Sequence, residues 1–356
     1  MSEAHRVQVR GAEFRPHPLL RSAHAQTLGG WLLAGSQFPY NARQRHIECD
    51  DGDRLLLHDD CPLGWQPGDR VALLVHGMAG SHLSPYVVRV GYKLNEHVVR
   101  TFRMDLRGAG ESSKIARQVY HAGRTDDLIT ALNGVRSWCP DSPLSLLGFS
   151  LGGALILKLL NECADEVPDE LVQAIAVCPP LDLTHCAEAI GQRAMQLYER
   201  YFVNCLMEQV EMRRRANPNA IHAEIPRRPT SVWEFDDTFT APVCGFESAA
   251  DYYRRASCGN DLQAIRVSTS IIMADDDPIV PSEQFESLQL ARSTQLVMTE
   301  YGGHLGFIAA NGPDPDRRWM DWRIVRAVAG PDSGRPSMPK TTPRWRLTRA
   351  FGRAGF

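Results

Sequence analysis

The sequence predicts an α/β fold: a mostly parallel central sheet flanked by helices, with a helical cap inserted late in the chain. Three observations predict it. From residue 54 onward, short β-branched and Leu-rich runs alternate with longer helix-like segments, the pattern of repeated βαβ units. These short runs are near-continuously apolar, as strands buried on both faces are. The alternation breaks only between residues 181 and 266, a stretch too long to serve as a loop within a compact domain.

In chain order, RLLLHDDC (54–61) and RVALLVHG (70–77) read as strands, and YVVRVGYKLNEH (86–97) as an amphipathic helix. VVRTFRMDLRG (98–108) is the next strand, TDDLITALNGVRSW (125–138) a helix capped by Thr125, and PLSLLGF (143–149) a strand. A helix to about residue 164 and the strand LVQAIAVCPP (171–180) follow. After the insertion, whose AEAIGQRAMQLYERYFVNCLMEQVEMRRRA is helix-like, come the strand VSTSIIMADDDP (267–278), a helix from Ser282, the strand TQLVMTEYGGH (294–304) and a Trp-rich helix over 315–329. The expected organisation is an N-terminal extension packing on the core (1–52), a core of 53–180 and 267–330, a cap of 181–266, and a tail of 331–356. That tail holds six Lys/Arg, one acid and four prolines, and reads as mobile.

The 356 residues are 43 % hydrophobic and 23 % charged, with a net charge of −3, the balance of an ordinary globular protein with no basic face for nucleic acid. The first fourteen residues hold no apolar signal core and no run of 18 apolar residues occurs, so the expected address is the cytoplasm. The end of the tail, RWRLTRAFGRAGF, mixes basic and apolar residues, but its apolar spacing fits one helical face too weakly to favour peripheral membrane contact. The nine cysteines show neither C-x-x-C nor Cys/His zinc spacing, and read as reduced and structural. No metal or cofactor is expected: Gly108-Ala109-Gly110 follows a strand, but Ser113 stands where a dinucleotide fingerprint needs its third glycine, and no P-loop motif exists. Oligomeric state is not legible.

One stretch carries chemistry. LLGFSLGGALILKLL (146–160) contains G-x-S-x-G centred on Ser150, the pattern of a nucleophile elbow between strand and helix. Chance supplies such a match about 0.1 times in a chain like this, so its neighbours decide. A serine hydroxyl needs a base, itself oriented by a third group. The next-but-one strand ends in Asp275-Asp276-Asp277, and 27 residues beyond Asp277 comes His304 in EYGGHLGF, the one histidine that follows that acid. The chain order Ser, Asp, His is that of this sheet topology. Asp277 is the expected acid, with Asp276 in reserve. The strand LLVHGMAGS ends in His76-Gly77, placing the Met78 N–H to donate with that of Leu151 to a developing oxyanion. Tyr198, Tyr201, Phe202 and Trp233 either line an apolar acyl site or pack in the core, and their helical spacing favours the core.

With these segments in view, the chain resembles the α/β-hydrolase superfamily, and more narrowly its YheT-like and ABHD1/ABHD3-like branch of hydrolases and esterases. SAHAQTL, HGMAGS, DLRGAGES, YHAGRTDD, GFSLGG, FDDTFTAPVCGF followed by DYY, ADDDP and GGHLGF carry the resemblance over about residues 15–325. It implies an α/β-hydrolase fold with Ser150 as nucleophile, Asp277 as acid and His304 as base. Asp105 stands where relatives often have Asn, and SAHAQT replaces a more usual Asn-Pro-His start. The expected activity is serine hydrolysis of small carboxylic esters, with a short- to medium-chain or lipid-like apolar acyl group and no cofactor. A thioesterase or alcohol acyltransferase would use the same triad, and a non-catalytic binding protein of this fold is the alternative of another class.

Overall fold

The computed structural model describes residues 14–33, 38 and 40–330; the expected 331–356 tail lies outside them. The chain opens with α1 (Ala23–Leu32), whose cap Ser22 accepts from the Ala25 N–H, and continues into β1 (Arg43–Glu48) and β2 (Arg54–Asp60). Then come β3 (Val71–Val75), α2 (Pro85–Glu96), β4 (Arg100–Asp105), α3 (Asp126–Trp138), β5 (Leu144–Phe149), α4 (Leu151–Glu162) and β6 (Leu171–Val177). Next are α5 (Leu183–Ile190), the long α6 (Gln196–Ala216), α7 (Val232–Phe235), α8 (Ala241–Cys244) and α9 (Ala249–Ala256). The two-residue strand β7 (Asp261–Leu262), β8 (Ser268–Ala274), the two-residue strand β9 (Gln289–Leu290), β10 (Thr294–Thr299) and α10 (Trp319–Ala329) complete it.

Eight strands form one sheet in the order β1-β2-β4-β3-β5-β6-β8-β10. The β1–β2 and β2–β4 pairs are antiparallel and the rest parallel. β3, β4 and β5 are buried at every residue; β3 and β5 are accordingly near-continuous apolar runs, whereas β4, RTFRMD, buries charged residues that pair with acids of β2, Arg100 with Asp59 and Arg103 with Asp60. Edge strand β1, RQRHIE, is mostly exposed; it comes from the 1–52 segment and forms part of the central sheet itself.

Two local expectations fail for stated reasons. Thr125 has helical φ/ψ (−75°, −27°) and its hydroxyl caps nothing, so α3 begins on Asp126 and Asp127. The helix expected from Ser282 is a single 3₁₀ turn, Ser282–Phe285, because Gln284 turns inward to accept the Leu181 and Asp182 N–H groups.

Candidate active site

β5 delivers the chain into the centre of the sheet, and α4, buried at every residue from Leu151 to Leu160, carries it away. The reversal falls on one residue. Ser150 sits at φ 52°, ψ −123°, a conformation that costs an L-residue about 1–3 kcal/mol and persists only where its surroundings impose it. Its N–H donates to Val177 O (2.8 Å) and its carbonyl accepts from Gly153 N–H (2.8 Å). Glycine is required beside it: a Cβ on Gly152 would stand 2.5 Å from Val75 O and 2.6 Å from His76 O, both backbone. Of seven non-glycine residues with positive φ among those described, five (Ala79, Ser150, Cys178, Leu305, Phe307) adjoin or belong to this centre, the distribution expected where geometry is imposed for use.

His304 and Asp277 arrive from the loops after β10 and β8, and both are buried. Asp277 Oδ1 accepts the Ile279 and Val280 N–H groups (2.8 and 3.0 Å), which turns Oδ2 to His304 Nδ1 at 2.8 Å. A carboxylate only accepts, so the proton of the neutral imidazole is on Nδ1 and Nε2 is left as acceptor. Nε2 lies 2.9 Å from Ser150 Oγ. Asp276, the reserve acid, is engaged elsewhere: its Oδ1 accepts the Gly303 N–H (2.8 Å), and burial raises its pKa. The fully buried Cys178 thiol, pushed far up by burial, also hydrogen-bonds Asp277.

Sequence reading expected residues 1–52 only to pack on the core; α1, within them, holds the histidine loop. Thr27 Oγ1 accepts the His304 N–H (2.9 Å), while Gln26 donates to Ile308 O (3.0 Å) and accepts from Ile308 N–H (2.7 Å). Gly303, at φ 55°, permits the approach; a Cβ there would stand 2.5 Å from Ala23 O and 2.6 Å from Thr27 Oγ1. These contacts span 277 to 282 residues, so no local pattern announces them.

The turn after β3 meets the elbow closely: a Cβ on Gly77 would stand 3.0 Å from Ser150 Cβ. His76 latches that turn, its Nε2 accepting the Leu106 N–H (3.1 Å) and its Nδ1–H donating to Gly77 O (2.7 Å); burial lowers its pKa and keeps it neutral. Neither the Met78 N–H nor the Leu151 N–H has an acceptor among the described residues, and Leu151 opens α4, whose N-terminal dipole favours negative charge.

Met78 and Leu151 also line a partly open pocket with Val119, Leu206, Phe235 and Phe239. Its polar members include Gln209, Tyr120 and the buried Asp236, whose pKa burial raises to about 6 although the Thr240 and Tyr253 hydroxyls donate to it. Of the four aromatics weighed from sequence, none lines it: Tyr198 and Phe202 are core, Tyr201 stacks on Trp31, and Trp233 packs edge-on against Tyr253.

Among the described residues, two buried groups have metal-ligand chemistry: Cys178/Asp277/His304, and His58/His82/Asp105. In the first, the imidazole nitrogens are already committed to Asp277 and Ser150. In the second, the two rings stack at 3.5 Å and 12°, so their in-plane lone pairs run parallel rather than converging on one ion. All nine cysteines are unpaired.

The model of the family described as "alpha/beta hydrolase fold" matches residues 71–310. The chain belongs to the α/β-hydrolase family. Similar members include the Escherichia coli (strain K12) protein named "Putative esterase YheT", 29 % identical over 318 residues, covering 88 % of this chain and 92 % of that one. The mouse "Phospholipase ABHD3" is 28 % identical over 245 residues, 68 % of this chain and 59 % of its own. The Saccharomyces cerevisiae "Monoacylglycerol lipase" is 27 % identical over 299 residues, 81 % of this chain and 64 % of its own. Among solved structures, an esterase of Pyrococcus furiosus shares the fold at a TM-score of 0.50 and 16 % identity, over 82 % of this α/β hydrolase and 95 % of that chain. No helix among the described residues is long and apolar enough to cross a membrane.

Proposed function

We propose that this α/β hydrolase is an esterase that cleaves carboxylic esters through an acyl-enzyme on Ser150. The observation that carries the reading is the relay from Ser150 Oγ through His304 (2.9 Å) to Asp277 (2.8 Å), built on a strained elbow beside two unused N–H groups. His304 Nε2 takes the hydroxyl proton as Oγ bonds to the ester carbonyl carbon. Asp277 stabilises the imidazolium. The Met78 and Leu151 N–H groups receive the oxyanion, a contribution of order 10²–10³ per donor in serine hydrolases. Collapse expels the alcohol, which takes its proton from Nε2–H. Water, deprotonated by the same nitrogen, then releases the acid and restores Ser150.

Residues 181–266 act in this reading as a cap, since Leu206, Phe235 and Phe239 of that segment close the pocket over Met78 and Leu151. The mainly apolar lining suits a short- to medium-chain acyl group, and the esterase and lipase names of the relatives agree in kind. Replacing Ser150 by Ala is expected to abolish both turnover of nitrophenyl esters and labelling by a fluorophosphonate while the protein stays folded. Retained turnover or labelling would remove Ser150 from its role, and a wild type that does neither is a binding protein. Adding an alcohol or a thioester substrate to the same assay separates hydrolase from acyltransferase and thioesterase.

A further inference from the structure

We propose that Asp105 is a positioning residue for the oxyanion hole, acting through His82 with His58 as its support; this rests on the esterase reading above. A donor at Met78 is useful only if its N–H is held in one direction when the oxyanion forms. The turn that bears it runs from the end of β3 to the start of α2 and is pinned on both sides of Met78. Upstream, Gly77 N–H donates to the Tyr86 hydroxyl (3.0 Å); immediately downstream, Ala79 N–H donates to the Tyr120 hydroxyl (2.9 Å). The far end is fixed by His82. Its backbone N–H donates to Asp105 Oδ1 (2.7 Å), its ring Nδ1 lies 2.9 Å from both Asp105 oxygens, and its carbonyl accepts from Arg103 (3.2 Å).

Asp105 is fully buried at the end of β4 and receives two further N–H groups, from His58 Nε2 (3.0 Å) and Glu111 (2.9 Å). Four donors thus converge on one carboxylate, matching the roughly four acceptor positions of its ionised form. They outweigh burial and hold its pKa well below the ordinary carboxylate range. The His58 ring stacks on the His82 ring, and the Tyr40 hydroxyl hydrogen-bonds its other nitrogen, Nδ1. The His82 ring is therefore fixed in its plane by the carboxylate and from one face by His58. Closing a surface turn needs one such bond. Here a buried anion, two imidazoles and strands β2 and β4 together hold the turn that adjoins Ser150.

Asp105→Asn installs the residue that relatives often carry there and keeps the shape, but in this chain it leaves one acceptor oxygen for four donors and points an amide N–H₂ at those the oxygen does not reach. The full-length protein is assayed for kcat and KM on a nitrophenyl ester, and for Ki of a trifluoromethyl ketone with the same acyl chain. That ketone forms a hemiketal oxyanion on Ser150. All rates are referred to fluorophosphonate-titrated sites. Asp105→Asn is expected to lower kcat about 30-fold, leave KM within twofold, and raise Ki by the factor lost in kcat. His82→Ala, which keeps the backbone clamp and loses the ring, is expected to show the same parallel change at about threefold to tenfold. Unchanged kcat and Ki per titrated site in Asp105→Asn overturn the proposal, even if its melting temperature falls, because the role is then only structural. If Asp105→Asn does not fold, His82→Ala decides by the same criterion. A wild type that the ketone fails to inhibit refutes the esterase reading itself, a result distinct from either variant's.

Discussion

Replacing Asp277 by Asn isolates the part of the mechanism that depends on which ring nitrogen carries the proton. Two backbone N–H groups, from Ile279 and Val280, already hold Oδ1 at 2.8 and 3.0 Å. In the variant the amide oxygen is the only acceptor, so it stays in that cradle and the N–H₂ turns to His304 Nδ1. Nδ1 then has to accept, the imidazole proton moves to Nε2, and an N–H confronts the Ser150 hydroxyl instead of a lone pair. The change of charge adds a second loss, since nothing ionic remains to stabilise the imidazolium. In a protease with the same arrangement, this exchange lowers kcat about 10⁴-fold, or about 5 kcal/mol of barrier. The backbone cradle survives, so Asp277→Asn is expected to fold with little change in melting temperature, keep KM within a few-fold, and lose about 10⁴ in kcat at pH 7. Steady-state kinetics on a nitrophenyl ester beside a thermal melt measures both. A loss below tenfold in a folded variant would refute the tautomer argument and reopen Asp276 as the acid.

Three further outcomes follow from the same contacts. Gly152→Ala forces a methyl to 2.5 Å from Val75 O, backbone that cannot swing aside, and is expected to cost about 3 kcal/mol and about 5 °C in melting temperature together with activity; a neutral melt would contradict the packing. Thr27→Val leaves the buried His304 N–H without its acceptor, costing about 1–3 kcal/mol by denaturant titration and lowering kcat roughly tenfold. Asp236 has a folded pKa of about 6, above the unfolded value of about 4, so it binds its proton more tightly when folded and stability falls as pH rises through that window. The wild type should thus lose up to about 3 kcal/mol between pH 4 and pH 7 relative to Asp236→Asn, and parallel stability–pH curves for the two would show that Asp236 ionises freely.

Much of the framework was legible because it depends on neighbours in sequence. The apolar runs at Val71–Val75 and Leu144–Phe149 could only be doubly buried strands, and Gly148 and Gly152 around Ser150 mark a turn with no room for side chains. Chain order alone anticipated that His304 would lie beside Ser150 and Asp277. What escaped depends on contacts between residues well separated in sequence, from 23 to 282 positions apart. Thr27 is a plain helix threonine until the His304 loop is laid on it, and His58 and His82 gain meaning only when β2 and β4 pair. The 3₁₀ turn at Ser282 has helical composition locally, and yields to Gln284 binding backbone N–H groups about 100 residues earlier. The aromatics of α6 were ambiguous by periodicity, and packing against α1 resolved Tyr198 and Tyr201 away from the pocket.

The central claim is a covalent intermediate on one named oxygen. Rapid acid quench of the enzyme with a nitrophenyl ester, followed by peptide mass spectrometry, tests it directly. The account predicts an acyl adduct, gained with loss of one hydrogen, on the peptide containing Ser150, forming with a burst of nitrophenol and absent in Ser150→Ala. Full turnover with no adduct there, or an adduct that persists in Ser150→Ala, would contradict it.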